Sequence, residues 1–431
     1  MAKEKAEKPR REFTKRQLSQ WQRHKRRQRV IFGSGILIIV AVLGVIGAGV
    51  YNRWYVPEYK PLHEIVIEVN DTQFDMNYYI KMLNYYGKGV PIQYMQFAAN
   101  EVVTVIERSE LIRQGAMELG IIVSDDEVDK ELESYDPPLS KDYRDVARTK
   151  ILVERLRDEY FEQKVPMLAG QRHIMAMFLE SESQANEVIA KLENGEKFTE
   201  LASELSLDNF SKDKKGDLGW RPEGVLPLLL KTSVVDEYAF NSEVGVLSQP
   251  IYDEEATKDV GYWLIKVLDR DEEAGQAHVK VMLLASEQEA NEVRARLEAG
   301  GDFATLAEKF SQHDGSSQNG GDFEVLSQDM MSSAFNEFVF DSEAELETLS
   351  EPIRDETTRT SGGYWLVRVE DKDDNRQIEE ENRDLLKADA LSKWVQALQD
   401  DPENKVESYL DEQKMQWAIW HVIGSQNQIG G

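Results

Sequence analysis

Cysteine is absent from all 431 residues. That excludes disulfides, thiolate metal sites, cysteine nucleophiles and attachment of lipid to an N-terminal cysteine. Histidine is scarce, at six residues. Positive charge is in deficit, with 51 Lys and Arg against 80 Asp and Glu and a net charge of −29. Phosphate recognition needs clustered positive charge, so nucleic acid is not an expected partner. The apolar fraction of 41% and the eight Trp argue against a wholly disordered polyanion. A chain this long holds about three domains.

The charge is unevenly distributed. Residues 1–29 carry twelve Lys and Arg against three Glu, or +9, which leaves −38 on the remaining 402 residues. Val30–Tyr51 follows, 22 residues without a charge. As a helix it spans roughly 33 Å, enough for a bilayer core. Trp54 and Tyr55 come next, where interfacial aromatics belong. The positive-inside rule predicts a basic cytoplasmic tail (1–29), an uncleaved signal-anchor (30–51) and an acidic bulk outside the membrane. A cleavable signal has a shorter apolar core.

Glu64–Val69 reads as a strand and Asn70-Asp71 as a turn. Helical patterns cover 74–86, 94–119 and 140–163, and Ser124 to Glu127 is a capping box. Residues 376–399 and 405–422 are also helical in pattern, with Trp394, Trp417 and Trp420 as large apolar groups. Isolated helices are marginal in water, so these are expected to pack against the helices of 74–165. That gives a helical domain at 62–168, completed by 376–424.

The middle of the chain repeats itself. His173–Ser206 aligns without gaps with His278–Ser311, 105 residues downstream, with 17 of 34 positions identical. The match continues through Gly216-Asp217 with Gly321-Asp322, Pro250-Ile251 with Pro352-Ile353, and Tyr262-Trp263 with Tyr364-Trp365. Two copies of about 100 residues are tandem domains and not a solenoid. Each reads strand, helix, Gly-rich turn, short helices and a last strand, GYWLIKV or GYWLVRV. The predicted class is α+β, with units at 170–271 and 275–373.

The repeat resembles the parvulin family of peptidyl-prolyl cis-trans isomerases. The EANEV helix, the Gly216-Asp217-Leu218-Gly219-Trp220 segment with Gly224, and the hydrophobic last strand carry the resemblance. The flanking helices, including Glu118–Leu132, resemble the chaperone domain of SurA-type folding factors, and the whole order resembles the PpiD and PrsA group. The resemblance implies a membrane-anchored foldase of the bacterial envelope. It would bind unfolded or nascent exported polypeptides, touch the bilayer through 30–51, and need no metal or cofactor. Contact with the export machinery is a further implied partner. The alternative is an inactive, parvulin-derived holdase.

The family's pocket has a His on the first strand, an Asp or Cys in the loop before Gly-Asp, a Met/Leu and a Phe, and a second His on the last strand. Trp263 and Trp365 stand at that second His. Ungapped alignment places Ala176 and Val281 at the first; a loop three residues longer than the family's would restore His173 and His278. Otherwise these are ordinary packed or solvated histidines. Asp208 and Asp314, beside His313, are the candidate loop acids. Leu226 matches the Met/Leu lining position of the first unit, with Val235 nearest the aromatic one. Met330 or Met331, with Phe335, lines the second. The expected site is thus Asp208, His173 and Asp314, with Leu226, Trp263, Met330, Phe335 and Trp365 around the substrate. Isomerisation crosses a barrier of about 18–20 kcal/mol, and a dry apolar proline pocket beside suitable polar groups would favour the twisted amide without a nucleophile, metal or cofactor.

Overall fold

The computed structural model describes residues 39–429 apart from 272, 329, 342 and 344. The basic tail and residues 30–38 of the expected span lie outside the described residues. A continuous helix, α1 (Ile39–Leu62), carries the rest of the span. It is about 36 Å long at 1.5 Å per residue. Its mean hydropathy reaches 1.4, and none of that stretch is buried by protein. Tyr51, Tyr55, Tyr59 and His63 stack at successive four-residue steps beyond its most apolar part.

The chain divides into two compact units. The first takes the described residues up to Val153 and those from Trp394 onward. Strands β1 (Ile65–Val69) and β2 (Thr72–Asp75) form a hairpin around Asn70, whose positive φ of 54° suits the turn. Helices α2 (Met76–Tyr86), α3 (Met95–Glu118), α4 (Asp125–Ser134) and α5 (Arg144–Arg155) follow. Ser124 and Glu127 form the reciprocal capping box at the start of α4. Far along the chain, β11 (Val406–Ser408) pairs with β1, Val406 opposite Val69, and α16 (Glu412–Ile429) seats Ala418, Ile419 and Val422 in the core of Val66, Tyr79, Leu83 and Ile106. The expected helix from 405 therefore starts only at Glu412. The backbone of 406–408 instead satisfies the open edge of β1, and Asn70 Oδ1 accepts the Lys405 N–H at 2.8 Å.

The second unit is residues 154–393 and contains two four-stranded antiparallel sheets. In chain order, the first repeat supplies β3 (Leu168–Leu179), α6 (Glu182–Glu193), α7 (Phe198–Leu205), α8 (Asn209–Asp213), β4 (Asp217–Pro222), α9 (Leu226–Leu230), α10 (Val234–Asn241), β5 (Ile251–Lys258) and β6 (Gly261–Asp271). The second supplies β7 (Gln276–Leu284), α11 (Glu287–Glu298), α12 (Phe303–Phe310), α13 (Asp314–Gln318), β8 (Asp322–Ser327), α14 (Ser333–Val339), β9 (Ile353–Asp355) and β10 (Thr360–Gln377). The long α15 (Glu380–Asp400) links onward.

The strand orders, β4-β3-β10-β5 and β8-β7-β6-β9, differ from the expected domain limits. GYWLIKV does not close the first repeat. It pairs with β7, Trp263 opposite Leu283 and Ile265 opposite Val281. GYWLVRV instead pairs with β3, Trp365 opposite Phe178 and Val367 opposite Ala176. Grouped by sheet, half 1 is 168–258 with 360–377 and half 2 is the intervening 261–355, whereas the sequence repeat predicts 170–271 and 275–373. The connection between β6 and β7 is residues 272–275, a loop of hairpin length, so these strands become neighbours.

Alternation along the strands assigns their faces. Ile174, Ala176 and Phe178 point into a cluster with Leu226, Val235, Trp365 and Val367. Met175, Met177 and Leu179 point the other way, onto Val188 of α6 and Phe198 and Leu201 of α7. Half 2 repeats this, with Val279, Val281 and Leu283 facing Trp263, Ile265 and Phe335.

Candidate functional site

Gly216 and Gly321 open the loop that leads to each pocket. Their φ values are +78° and +79°, and a Cβ on either would fall 2.7–2.8 Å from Phe198, Ala202, Phe303 or the Val281 carbonyl. Glycine is required there by backbone shape and close approach. Ahead of them, Asp208 caps α8, its carboxylate accepting the Ser211 N–H at 2.7 Å. Its half 2 counterpart is His313, which caps α13 through Nδ1 at 3.3 Å from the Ser316 nitrogen. His313 lies edge-on to Trp263, with ring centroids 5.4 Å apart. Burial lowers its pKa, against the raising effect of the neighbouring Asp314. Asp314 itself is exposed in the first turn of α13, and His313 holds the N-cap position that Asp208 holds in half 1.

Ala176 and Val281, which ungapped alignment places at the first-strand position, are both buried in the apolar clusters. His173 sits on the opposite face, as strand alternation requires. Its Nε2 is 2.8 Å from Asp217 Oδ1, and its ring stacks on Trp220 at 5.7 Å. His278 makes the same 2.8 Å contact with Asp322. The assignment of His173 to the pocket is therefore corrected: it pairs with Asp217 and not with Asp208.

The apolar lining is assembled from α9, α10, α14 and the last strands. Leu226, Val235 and Phe335 have no exposed surface, and Trp365 and Trp263 retain 1% and 2%. Trp365 packs on Phe178 at 4.9 Å, and Trp263 meets Phe335 edge-on at 5.0 Å. Each Trp thus lies in the cluster of the other repeat. Met330 is 66% exposed and lies outside the cluster; Met331, 105 residues after Leu226, packs against it.

Both indoles are held by acids that sequence reasoning missed. Trp365 Nε1 donates to Asp253 at 3.0 Å and Trp263 Nε1 to Asp355 at 2.9 Å. Burial disfavours ionisation of Asp355, but hydrogen bonds from Ser332, Thr357 and Trp263 outweigh it and hold the pKa at about 2. The signal was present as a repeated Pro-Ile-x-Asp, at 250–253 and 352–355. A second missed pair is Asp236 and Asn336. Asp236 accepts the Gly224 N–H at 3.0 Å, and Asn336 donates to the Met331 carbonyl at 2.9 Å, pinning the segments that bear Leu226 and Met331.

The result is two closed apolar clusters, each plugged by an indole where the resemblance puts a histidine. A proline ring needs apolar surface to rest on, and Leu226, Val235, Phe335 and the two indoles present almost none. Among the described residues no group of three or more His, Asp or Glu is arranged to hold a metal ion.

Comparison with known proteins gives two matches to the PPIC-type PPIase domain, over residues 173–269 and 262–373. Foldase protein PrsA of Geobacillus kaustophilus is 30% identical over 185 residues, covering 38% of this chain and 61% of that protein. Chaperone SurA of Alcanivorax borkumensis is 29% identical over 256 residues, covering 54% and 53%. A crystal structure of peptidylprolyl isomerase PrsA from Bacillus anthracis matches with a TM-score of 0.30 and 14% identity, over 75% of this chain and 95% of that one. The chain spans 53–68% of the length of the first curated relatives it matches.

Proposed function

Because the chain carries two tandem PPIC-type PPIase (parvulin) domains, we propose that it is an extracytoplasmic folding factor that holds unfolded stretches of exported proteins, with holding dominant over isomerisation. The single observation that carries this reading is the closure of both pockets. Leu226, Val235 and Phe335 have no exposed surface, Met331 is half-buried, and Trp365 and Trp263, at 1% and 2% exposure, stand where the resemblance puts the last-strand histidines. His173 and His278 bond to Asp217 and Asp322 on the opposite strand face, away from Ala176 and Val281, and so do not complete the family's polar network there.

The surface for holding lies elsewhere. In the first unit Ile92, Tyr94, Phe97 and Trp420 are 57–72% exposed. Gln96 bonds to Gln416 at 2.7 Å, which brings the start of α3 beside α16. An apolar, aromatic surface of this kind suits a client with exposed hydrophobic side chains. The acidic remainder keeps the protein soluble while a client is held. The helix Ile39–Leu62 supports a single-pass anchor with the N-terminus in the cytoplasm; lipid and export-machinery contacts through 30–51 belong to the same proposal.

Isomerisation stays as the second reading, favoured by Asp208, which remains half-buried at the loop position of half 1. The two readings separate in a paired assay. Cis-trans exchange of an X–Pro peptide and suppression of aggregation of a denatured client are measured on one preparation. Suppression without catalysis supports holding; catalysis without suppression refutes it.

A further inference from the structure

The family matches at 173–269 and 262–373 both claim residues 262–269, yet a strand completes only one sheet on a given edge. We propose that the last strands of the two repeats are exchanged as an internal interlock, so that each PPIase pocket is a composite of both repeats and neither contiguous repeat is a folding unit. Pocket 1 then takes its indole from Trp365 of the second repeat, and pocket 2 takes Trp263 from the first.

Four observations carry this. The exchange runs the length of both strands, from Tyr364 opposite Leu179 to Gln377 opposite Leu168, and from Tyr262 opposite Leu284 to Asp271 opposite Gln276. The connections have the form of opened hinges. β5 and β6 are separated only by Asp259 and Val260 but belong to different sheets, and 356–359 makes the reciprocal crossing. A two-residue connection in a hairpin would fold its strands against each other; here it runs on between sheets.

The hinges are also fastened where they cross. The Lys258 ammonium, 2% exposed, donates to the Gly362 carbonyl, and Thr360 Oγ1 donates to the Val260 carbonyl at 2.5 Å. Glu180 of half 1 accepts from Tyr262 at 3.1 Å and from Arg354 at 3.1 Å, both in half 2. Glu180 is 8% exposed, and a buried carboxylate needs such partners. Lastly, the sockets accept either strand. GYWLIKV and GYWLVRV differ only Ile for Val and Lys for Arg, and each indole finds the Asp of the other repeat's Pro-Ile-x-Asp. The unexchanged arrangement is thus a real competitor, separated from the interlock by the crossing contacts and the short 272–275 loop.

The native absence of cysteine gives a direct test in the full-length, detergent-solubilised chain. In the interlock His173 faces Asp371 and His278 faces Asp269. Antiparallel partners lie about 4.5–5.5 Å apart at Cα, within disulfide range. His173→Cys with Asp371→Cys, and His278→Cys with Asp269→Cys, are expected to oxidise within one chain. His173→Cys with Asp269→Cys reports the unexchanged arrangement and is expected to stay reduced. A disulfide between 173 and 269 overturns the proposal, as does a 173–371 disulfide found only in dimers. Failure of both 173–371 and 269–278 to cross-link, in variants that melt as wild type, overturns it equally.

Discussion

Replacing Trp365 by alanine isolates what the indole does for half 1. The side chain is 1% exposed, packs on Phe178 and donates to Asp253. Truncating a buried Trp costs about 3–5 kcal/mol from lost burial and the cavity it leaves. The lost hydrogen bond adds about 1 kcal/mol: Oδ2 of Asp253 loses the indole donor, while Oδ1 still accepts the Glu255 and Ala256 N–H groups. A total of about 4–6 kcal/mol in a unit of this size lowers its melting transition by roughly 8–24 °C, at about 2–4 °C per kcal/mol. Trp365→Phe keeps most of the volume and should cost about 1–2 kcal/mol. The assay is calorimetry with hydrogen exchange read by mass spectrometry. Protection should fall first in β3, α9 and α10, although Trp365 belongs by sequence to the second repeat. Loss confined to β7, β8 and α14, with β3 unaffected, would refute the reasoning.

Two other outcomes follow from the same packing. Asp355 has a folded pKa of about 2, below the ordinary carboxylate value near ~3.9. Its contribution, about 2 kcal/mol, is therefore complete above pH ~4 and lost as pH falls from about 4 to about 2. Trp263→Phe, which removes one donor to Asp355, should move the acid unfolding midpoint of half 2 upward; an unchanged midpoint counts against the Trp-Asp link. In the first unit, a Cβ on Gly115 would lie 2.7 Å from Trp394 and 2.9 Å from Leu398. Gly115→Ala should thus destabilise by about 1–2 kcal/mol, because overpacking outweighs a helix-propensity gain of about 1 kcal/mol. A rise in melting temperature would show that α15 does not pack there.

The duplication was legible because repeated side chains serve repeated jobs. Gly216 and Gly321 make the same close approach, and Ser206 and Ser311 each receive a strand N–H through Oγ, from Phe178 and Leu283 at 3.0 Å. Strand alternation alone puts His173 and Ala176 on opposite faces. The exchange is not legible in the sequence, although the four-residue gap at 272–275 favours a hairpin, because two near-identical strands fit either partner. Counting 105 residues from Asp208 leads to His313, and from Leu226 to Met331. Asp314 and Met330, the candidates by residue type, each stand one residue from those positions. The strand at 406–408 escaped because its partner, β1, lies more than 330 residues away.

The most direct test of the central claim is cis-trans exchange of an X–Pro peptide, followed with and without the full-length chain. Unaided, the step takes tens to hundreds of seconds. With pockets closed by Trp365 and Trp263, the rate should stay within about twofold of the uncatalysed value, while the same preparation suppresses aggregation of a denatured client. An acceleration of tenfold or more at comparable concentration would contradict the account and assign the chain to catalysis.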